Sequence, residues 1–269
     1  MAASEAADGR RRIALLIEYD GTAYAGSQFQ LNAPTVQGVL EAAIERTTGE
    51  LVRPAFAGRT DAGAHARGQV ASFVTESRLE APVIERALNA WLPRDVAVLE
   101  AADAPIELDV RRHARRRHYR YLVENRRQRP ALDRGRAWHL AAPLDVDAMS
   151  RAARRLLGRH DFAAFGAAPG DERRSTIRDL FCFDVSRDGT LVIFDVVANA
   201  FLHHQVRRMV GALARVGQGK LDEEGYAGLL QGPPGSAGPA APAAGLYLMG
   251  VEYEAPLFNA ALDSRTAVC

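Results

Sequence analysis

The order in which hydrophobic patterns follow one another constrains this chain most. RIALLIEYD (12–20) is a β-rich run broken by Asp20-Gly21-Thr22, which reads as a strand and a turn. Thr35 is placed to cap a helix with Val36, Val39, Leu40, Ala43 and Ile44 on one face, stopped by Gly49. VRPAFAG (52–58) and GQVASFV (68–74) read as strands. Pro82 suits the first turn of a helix that buries Val83, Ile84, Ala87, Leu88 and Trp91, and VAVLEAA (96–102) closes the series as a strand. The second half repeats the order. RRHYRYLVE (116–124) alternates like a strand, and Asp145 caps a helix running to Gly158 with Met149, Ala152, Ala153 and Leu156 at helical spacing. DLFCFDVS and TLVIFDVVA flank Arg187-Asp188-Gly189, a hairpin signal. Leu202, Val206, Met209, Val210, Leu213 and Val216 trace one face of a helix, and LYLMGVEY (246–253) is the final strand.

Both halves therefore spell strand–helix–strand–strand–helix–strand, the order of a ferredoxin-like unit and also of RNA-recognition modules. The predicted fold is α+β, with two ferredoxin-like (βαββαβ) halves. Their sheets could stand apart or join edge to edge. Joining would remove exposed edges and give one continuous, mostly antiparallel sheet with helices on one face, leaving the other for a large ligand. The expected division is a disordered tail over 1–10, an N-terminal α+β domain over 11–108, a C-terminal α+β domain over 109–255 and a tail over 256–269. GPPGSAGPAAPAAG (232–245) reads as a low-complexity loop.

Bulk charge does not announce a nucleic-acid binder, because the net charge is only +1. Any basic surface must be local, and it must be made of arginine, since Lys220 is the only lysine. Cys182 and Cys269 lack metal-ligand spacing and read as a buried thiol and a tail thiol. MAASEAADGRRRIALLI has neither the apolar core nor the cleavage site of a secretory signal, and no apolar run approaches membrane-spanning length. A soluble, cytoplasmic protein without a membrane partner is the expectation.

Three constellations could carry chemistry. In AGRTDAGAHARGQV (57–70), Asp61 stands between glycines in the connection between two strands, with Arg59, His65 and Arg67 nearby. It is either a turn residue bonding local amides or a lone carboxylate able to act as nucleophile or base without a metal. A neighbouring arginine would favour its ionised form, and the glycines suggest a flexible loop. RRHARRRHYRYLVEN (111–125) packs six arginines and two histidines into residues 111 to 120. As a strand it points Tyr119 and Tyr121 to one face, His118 and Arg120 to the other. Basic side chains with interleaved aromatics suit phosphate contact plus base stacking, and a solvated charged strand is the alternative. In NAFLHHQVRRMVGAL (199–213), helical spacing pairs His203 with Arg207 and His204 with Arg208. Adjacent histidines diverge by about 100° on a helix, which disfavours a metal site; Arg207 facing an anion or a carboxylate is the better reading.

These segments are similar to the signature of the tRNA pseudouridine synthase A (TruA) family. The similarity lies in AGRTDAGAHARGQVASF, YDGTAYAG (19–26), TVQGVLEAAI (35–44), NAWLP (89–93), RHYRYLV (117–123), RPAL (129–132), NAFLHHQVRRMVG (199–211) and GLYLMGVEY (245–253). They follow the family's order over residues 12 to 254. The resemblance implies a duplicated α+β fold and a homodimer that grips tRNA. It also implies isomerisation of uridine to pseudouridine at positions 38, 39 and 40 of the anticodon arm, with no cofactor and no metal. Carried over by residue, Asp61 is the catalytic aspartate, Tyr119 the tyrosine that contacts the target uracil, and Arg207 the arginine expected beside the aspartate. The resemblance assigns Arg59 to holding the RNA backbone or the loop itself. Arg115, Arg116, Arg117, Arg120 and His203 are the weaker candidates for RNA contact. The chain departs from the family at Ser27, where tryptophan is usual, at His118, a common arginine, and at Asp109, where the family has histidine. A non-catalytic tRNA-binding factor would use the same basic strand with Asp61 as a mere loop residue, and a metal-dependent hydrolase would need a carboxylate cluster that the sequence does not offer.

Overall fold

The computed structural model describes residues 9–166 and 175–259, so the expected tails fall outside it over 1–8 and 260–269. The described residues build a mixed, mostly antiparallel α+β architecture, in two compact units. The first unit runs to Arg115 and takes the chain back from Leu248, and the second runs from Arg116 to Tyr247.

The first unit carries β1 (Arg11–Tyr19), α1 (Val36–Thr48), β2 (Ala55–Phe56), β3 (His65–Thr75), α2 (Ala81–Trp91) and β4 (Val96–Ala104). Its strands run in the order β4–β1–β3, antiparallel, with β2 also paired to β3. Being central, β1 is covered on both faces, which is why Ile13 through Ile17 read as an unbroken apolar run and are all buried. The caps foreseen for α1 are present. Thr35 Oγ1 accepts from Gly38 N–H at 3.1 Å, and Gly49 ends the helix with φ of 78°. Two expectations need correction. The strand expected over 52–58 shrinks to Ala55–Phe56. Trp91 is not core: it is 51 % exposed, with the Arg46 guanidinium 5.1 Å above its ring. The core stripe of α2 is only Ala81, Ile84 and Leu88, while the Asn89 amide bonds both Val98 N–H and Val98 C=O, tying the helix to β4.

The second unit carries β5 (Arg116–Asn125), β6 (Trp138–Leu140), α3 (Val146–Arg154), β7 (Gly158–Asp161), β8 (Ile177–Asp188), β9 (Leu191–Ala198), α4 (Gln205–Gly217) and α5 (Glu223–Gly228). Its strands run β5–β9–β8–β7, antiparallel, with the short β6 parallel to β5. The last strand among the described residues is β10 (Leu246–Glu252). Asp145 Oδ1 caps α3 through Ala148 N–H at 2.9 Å, but the helix stops at Arg154, and Gly158 opens β7 with φ of 96° instead of closing the helix. The β8–β9 hairpin turns at Gly189 and Thr190, one residue beyond the expected corner. Cys182 is buried, with its Sγ 4.0 Å from Asp195 C=O; Cys269 lies outside the described residues. No helix of the described residues is long and apolar enough to cross a membrane.

Candidate active-site residues in the two units

Asp61 sits in the connection before β3, half-buried, and the loop that presents it is pinned, not flexible as the glycines suggested. The residue before it, Thr60, is held by both main-chain groups and its side chain. Thr60 N–H donates to Ser27 Oγ at 2.9 Å, and Ser27 N–H donates to Thr60 C=O at 3.1 Å. Thr60 Oγ1 lies 2.7 Å from the Tyr19 hydroxyl. Gln69, fully buried in β3, donates to Gly58 C=O at 2.7 Å and to Tyr19 Oη at 3.4 Å, and its Oε1 accepts from Gly58 N–H at 3.3 Å. Burial pushes the Tyr19 hydroxyl up to about 12, against the opposing pull of the Thr60 and Gln69 hydrogen bonds, so it stays protonated at neutral pH. On the far side of Asp61, Gly63 N–H donates to Tyr24 C=O at 3.2 Å, and Ala64 N–H closes a turn on Asp61 C=O at 3.0 Å.

Two glycines of the preceding loop exist to let this connection approach. A Cβ on Gly21 would lie 1.9 Å from Ala64 O, and one on Gly26, whose φ is 104°, would lie 2.8 Å from Thr60 O. Gly21 N–H also donates to His65 Nδ1 at 3.1 Å. The Asp20 carboxylate approaches the same Nδ1 at 3.2 Å, so this ring joins the start of β3 to the turn after β1. Arg59 is exposed beside the loop. Ser27, a departure from the family's usual tryptophan, is thus one of the residues that hold the aspartate loop.

In the second unit, β5 places its side chains as alternation requires. Tyr121 is fully buried against Phe194 and Trp138, and Tyr119, on the same face, packs edge-on against Phe201 with centroids 5.2 Å apart. On the opposite face, His118 Nε2 and the Arg120 guanidinium converge on Asp195, buried in β9, at 2.7 Å and at 2.9 and 3.0 Å. Burial pushes the Asp195 carboxyl up, but the His118 and Arg120 hydrogen bonds outweigh it and hold the pKa below the usual carboxylate range. Arg117 is buried and donates Nη1 to Asn199 C=O at 2.6 Å. Arg116 lies over the exposed Phe181 ring at 4.8 Å, and Arg115, the last residue of the first unit, pairs with Glu254 at 2.8 Å.

The helical pairing of His203 with Arg207 does not form. Helix α4 begins at Gln205, His204 is its N-cap residue in the left-handed region with φ of 63°, and exposed His203 precedes it. The two imidazoles, expected to diverge, instead lie with centroids 3.7 Å apart and planes tilted by 31°. The start is fixed by Gln205, whose buried Oε1 accepts from Leu202 N–H at 2.8 Å. Arg207 lies on the first turn of α4. Its Nε donates to Ala241 C=O at 2.7 Å, and Ala241 N–H donates back to Arg207 C=O at 3.0 Å. Arg208 Nη1 reaches both Gly166 C=O and Gly235 C=O at 2.7 Å. The Tyr121 hydroxyl donates to Pro242 C=O at 2.7 Å. The Pro/Ala-rich segment 232–245, read as low complexity, is therefore a strap held on α4 by its carbonyls. Composition could not reveal this, because the groups that bind are main chain.

A family model described as tRNA pseudouridine synthase matches residues 15–111 and 152–254 of this chain. The chain is 47% identical over 263 residues to a tRNA pseudouridine synthase A of Roseiflexus castenholzii, covering 96% of each chain. It is 46% identical over 242 residues to one of Moorella thermoacetica (89% of this chain, 98% of the relative). It is 47% identical over 244 residues to one of Xanthobacter autotrophicus (90% and 99%).

Proposed function

Since this chain belongs to the tRNA pseudouridine synthase family and is an isomerase acting on tRNA, we propose that it converts uridine to pseudouridine at positions 38, 39 and 40 of the anticodon stem-loop, with Asp61 as its one catalytic carboxylate. The reaction breaks the bond between ribose C1′ and uracil N1, turns the base and rejoins it through C5. The target nucleotide must leave its stack to be reached, at a cost of a few kcal/mol supplied by contacts to the RNA backbone. A free base could diffuse away, so what the enzyme must provide is a carboxylate and a base holder that do not wander.

The observation that carries this reading is the clamp on Thr60, which fixes the main chain next to Asp61 from both sides. A carboxylate so presented loses little entropy on reaching a transition state. Tyr119 is assigned to the uracil, stacking on it and offering its hydroxyl for the C5 proton; its edge contact with Phe201 supports a fixed ring. Arg207 is assigned to orient the catalytic carboxylate, and its Nε bond to Ala241 C=O supports a fixed guanidinium plane. Arg59, Arg115, Arg116 and His203, all exposed, are assigned to RNA contact. Arg117 and Arg120 act at the RNA through the charge they add to strand β5 while bonded to Asn199 and Asp195. The reaction proceeds without cofactor or metal, in a cytoplasmic homodimer.

Tritium release from tRNA labelled at uridine C5 tests the assignment. Asp61→Asn is expected to abolish release while tRNA affinity stays within a fewfold of the parent. Appreciable turnover by that variant rejects Asp61 as the catalytic group, and label released from uridines other than 38–40 rejects the site. Chelator-resistant activity and a dimer by light scattering are the expected companions.

A further inference from the structure

The chain leaves β5 at Asn125 and re-enters the sheet at Trp138, beside the strand it left and parallel to it. The connection, 126–137, is long by the standard of compact domains. It carries Arg126, Arg127, Arg129, Arg134 and Arg136, all exposed, against one acid, Asp133. That is a net four positive charges in a chain whose total is +1. Both ends of the loop are anchored through main-chain oxygens. His139 Nε2 donates to Arg126 C=O at 2.8 Å, and the Tyr247 hydroxyl donates to Arg136 C=O at 2.8 Å. Arg136 N–H turns back on Asp133 C=O at 3.2 Å. At the base, Arg126 pairs with Glu124 at 2.8 Å. Among the described residues, Arg127, Arg129 and Arg134 enter no ion pair. Leu132, between them, is 94 % exposed.

Guanidinium groups gathered on one anchored loop repel one another, and the cheapest relief is a partner with repeated negative charge. An apolar side chain at the tip adds a surface for a sugar or a base. We infer that this β5–β6 loop is a phosphate-binding grip for the backbone of the tRNA substrate, with Arg127, Arg129 and Arg134 on successive phosphates and Leu132 against the nucleoside between them. The inference rests on the tRNA-acting reading of the chain. It assigns these residues to RNA positioning, away from the chemical step.

The test is filter binding of unmodified tRNA to the full chain across a salt series from about 50 to 200 mM. The triple variant R127Q/R129Q/R134Q is compared with R151Q/R154Q/R155Q, which removes the same number of charges from α3 and its C-cap residue. Each lost phosphate contact should flatten the plot of log K against log salt by about 0.7–0.9, so the loop triple should lose about 2–3 from the slope and about tenfold or more in affinity at low salt. The α3 triple should stay near the parent. Single substitutions, made in the same exposed loop, should each lose about one unit of slope and guard against a folding artefact in the triple. Equal behaviour of the two triples, or an unchanged slope for the loop variant, overturns the inference. So does a loop triple that keeps its tRNA affinity but loses binding to an acidic peptide. A parent protein that binds tRNA with the loop-dependent slope yet leaves uridines 38–40 unmodified would bear out the grip and reject the site assigned above.

Discussion

Ser27 and Thr60 form a reciprocal pair, Thr60 N–H to Ser27 Oγ at 2.9 Å and Ser27 N–H to Thr60 C=O at 3.1 Å, directly before the proposed catalytic Asp61. Ser27 is fully buried, so Ser27→Ala leaves the Thr60 amide without its acceptor in a dry site. The expected cost is about 1–3 kcal/mol of stability. If the pair serves catalysis, the variant also loses kcat in single-turnover pseudouridine formation while KM for tRNA stays near the parent value. Thermal unfolding beside rapid-quench kinetics separates the two. A variant that is less stable but has unchanged kcat would restrict Ser27 to folding.

Gly21 tests the same loop from its other end. A methyl group there must displace the Ala64 carbonyl, which lies 1.9 Å from the ideal Cβ position, and the neighbour is backbone and cannot rotate away. Gly21→Ala should destabilise the protein by at least about 1–3 kcal/mol. It should also break the bond from Gly21 N–H to His65 Nδ1. Calorimetry checks the first effect, and the His65 imidazole nitrogen shifts in an NMR spectrum check the second. An unperturbed melting temperature would mean the two loops are less tightly apposed than described.

The sequence made these elements legible in proportion to how local their causes are. The caps at Thr35 and Asp145 and the apolar face of α4 depend on residues a few positions apart, and all three are present. The strands β6 and β7 are short and carry no alternation long enough to read. Helical spacing places Trp91 in the core because it cannot tell a buried aromatic from one capped by a guanidinium, here that of Arg46. The start of α4 was misplaced because Leu202 continues its apolar stripe, whereas a left-handed His204 and the Gln205 side chain set the boundary. At the candidate site the side chains proposed for the chemistry were nameable from the sequence. Their supports were not, because Thr60, Ala241 and Pro242 act through main-chain groups that no residue pattern encodes.

Asp195 gives the fold a defined acid sensitivity. Its pKa is depressed in the folded state because His118 and Arg120 hydrogen-bond the carboxylate more strongly than burial opposes it. A depressed carboxyl stabilises the fold fully above its unfolded value of about 3.9, and that contribution is lost as pH falls through the lower folded value. Thermal stability should therefore decline below about pH 4 and do so less steeply in Asp195→Asn. The variant itself should lose about 3–5 kcal/mol at neutral pH, because it leaves the half-buried Arg120 without its counter-charge and the buried His118 without a carboxylate partner. Melting temperatures of both proteins between pH 7 and pH 2 check the sign and the size. Parallel acid limbs would show that other carboxylates govern the transition.

Tyr121 links the strap to strand β5. Its hydroxyl donates to Pro242 C=O at 2.7 Å, next to Ala241, whose carbonyl receives Arg207 Nε. Burial raises the pKa of this phenol, and the Arg207 charge only partly offsets it, so the hydroxyl remains a donor throughout the working pH range. Tyr121→Phe keeps the ring that packs on Phe194 and Trp138 but leaves the Pro242 carbonyl without this donor, a loss of about 1 kcal/mol in stability. Because Ala241 and Pro242 are adjacent, loosening one frees the other, and Arg207 loses the fixed plane on which its assigned role depends. The variant should therefore lower kcat severalfold with little change in tRNA affinity, and Arg207→Lys, which cannot donate through Nε, should add little further loss in the Tyr121→Phe background. A double-mutant cycle on single-turnover rates measures that coupling. Fully additive losses would separate the strap from Arg207 and leave Tyr121 a packing residue alone.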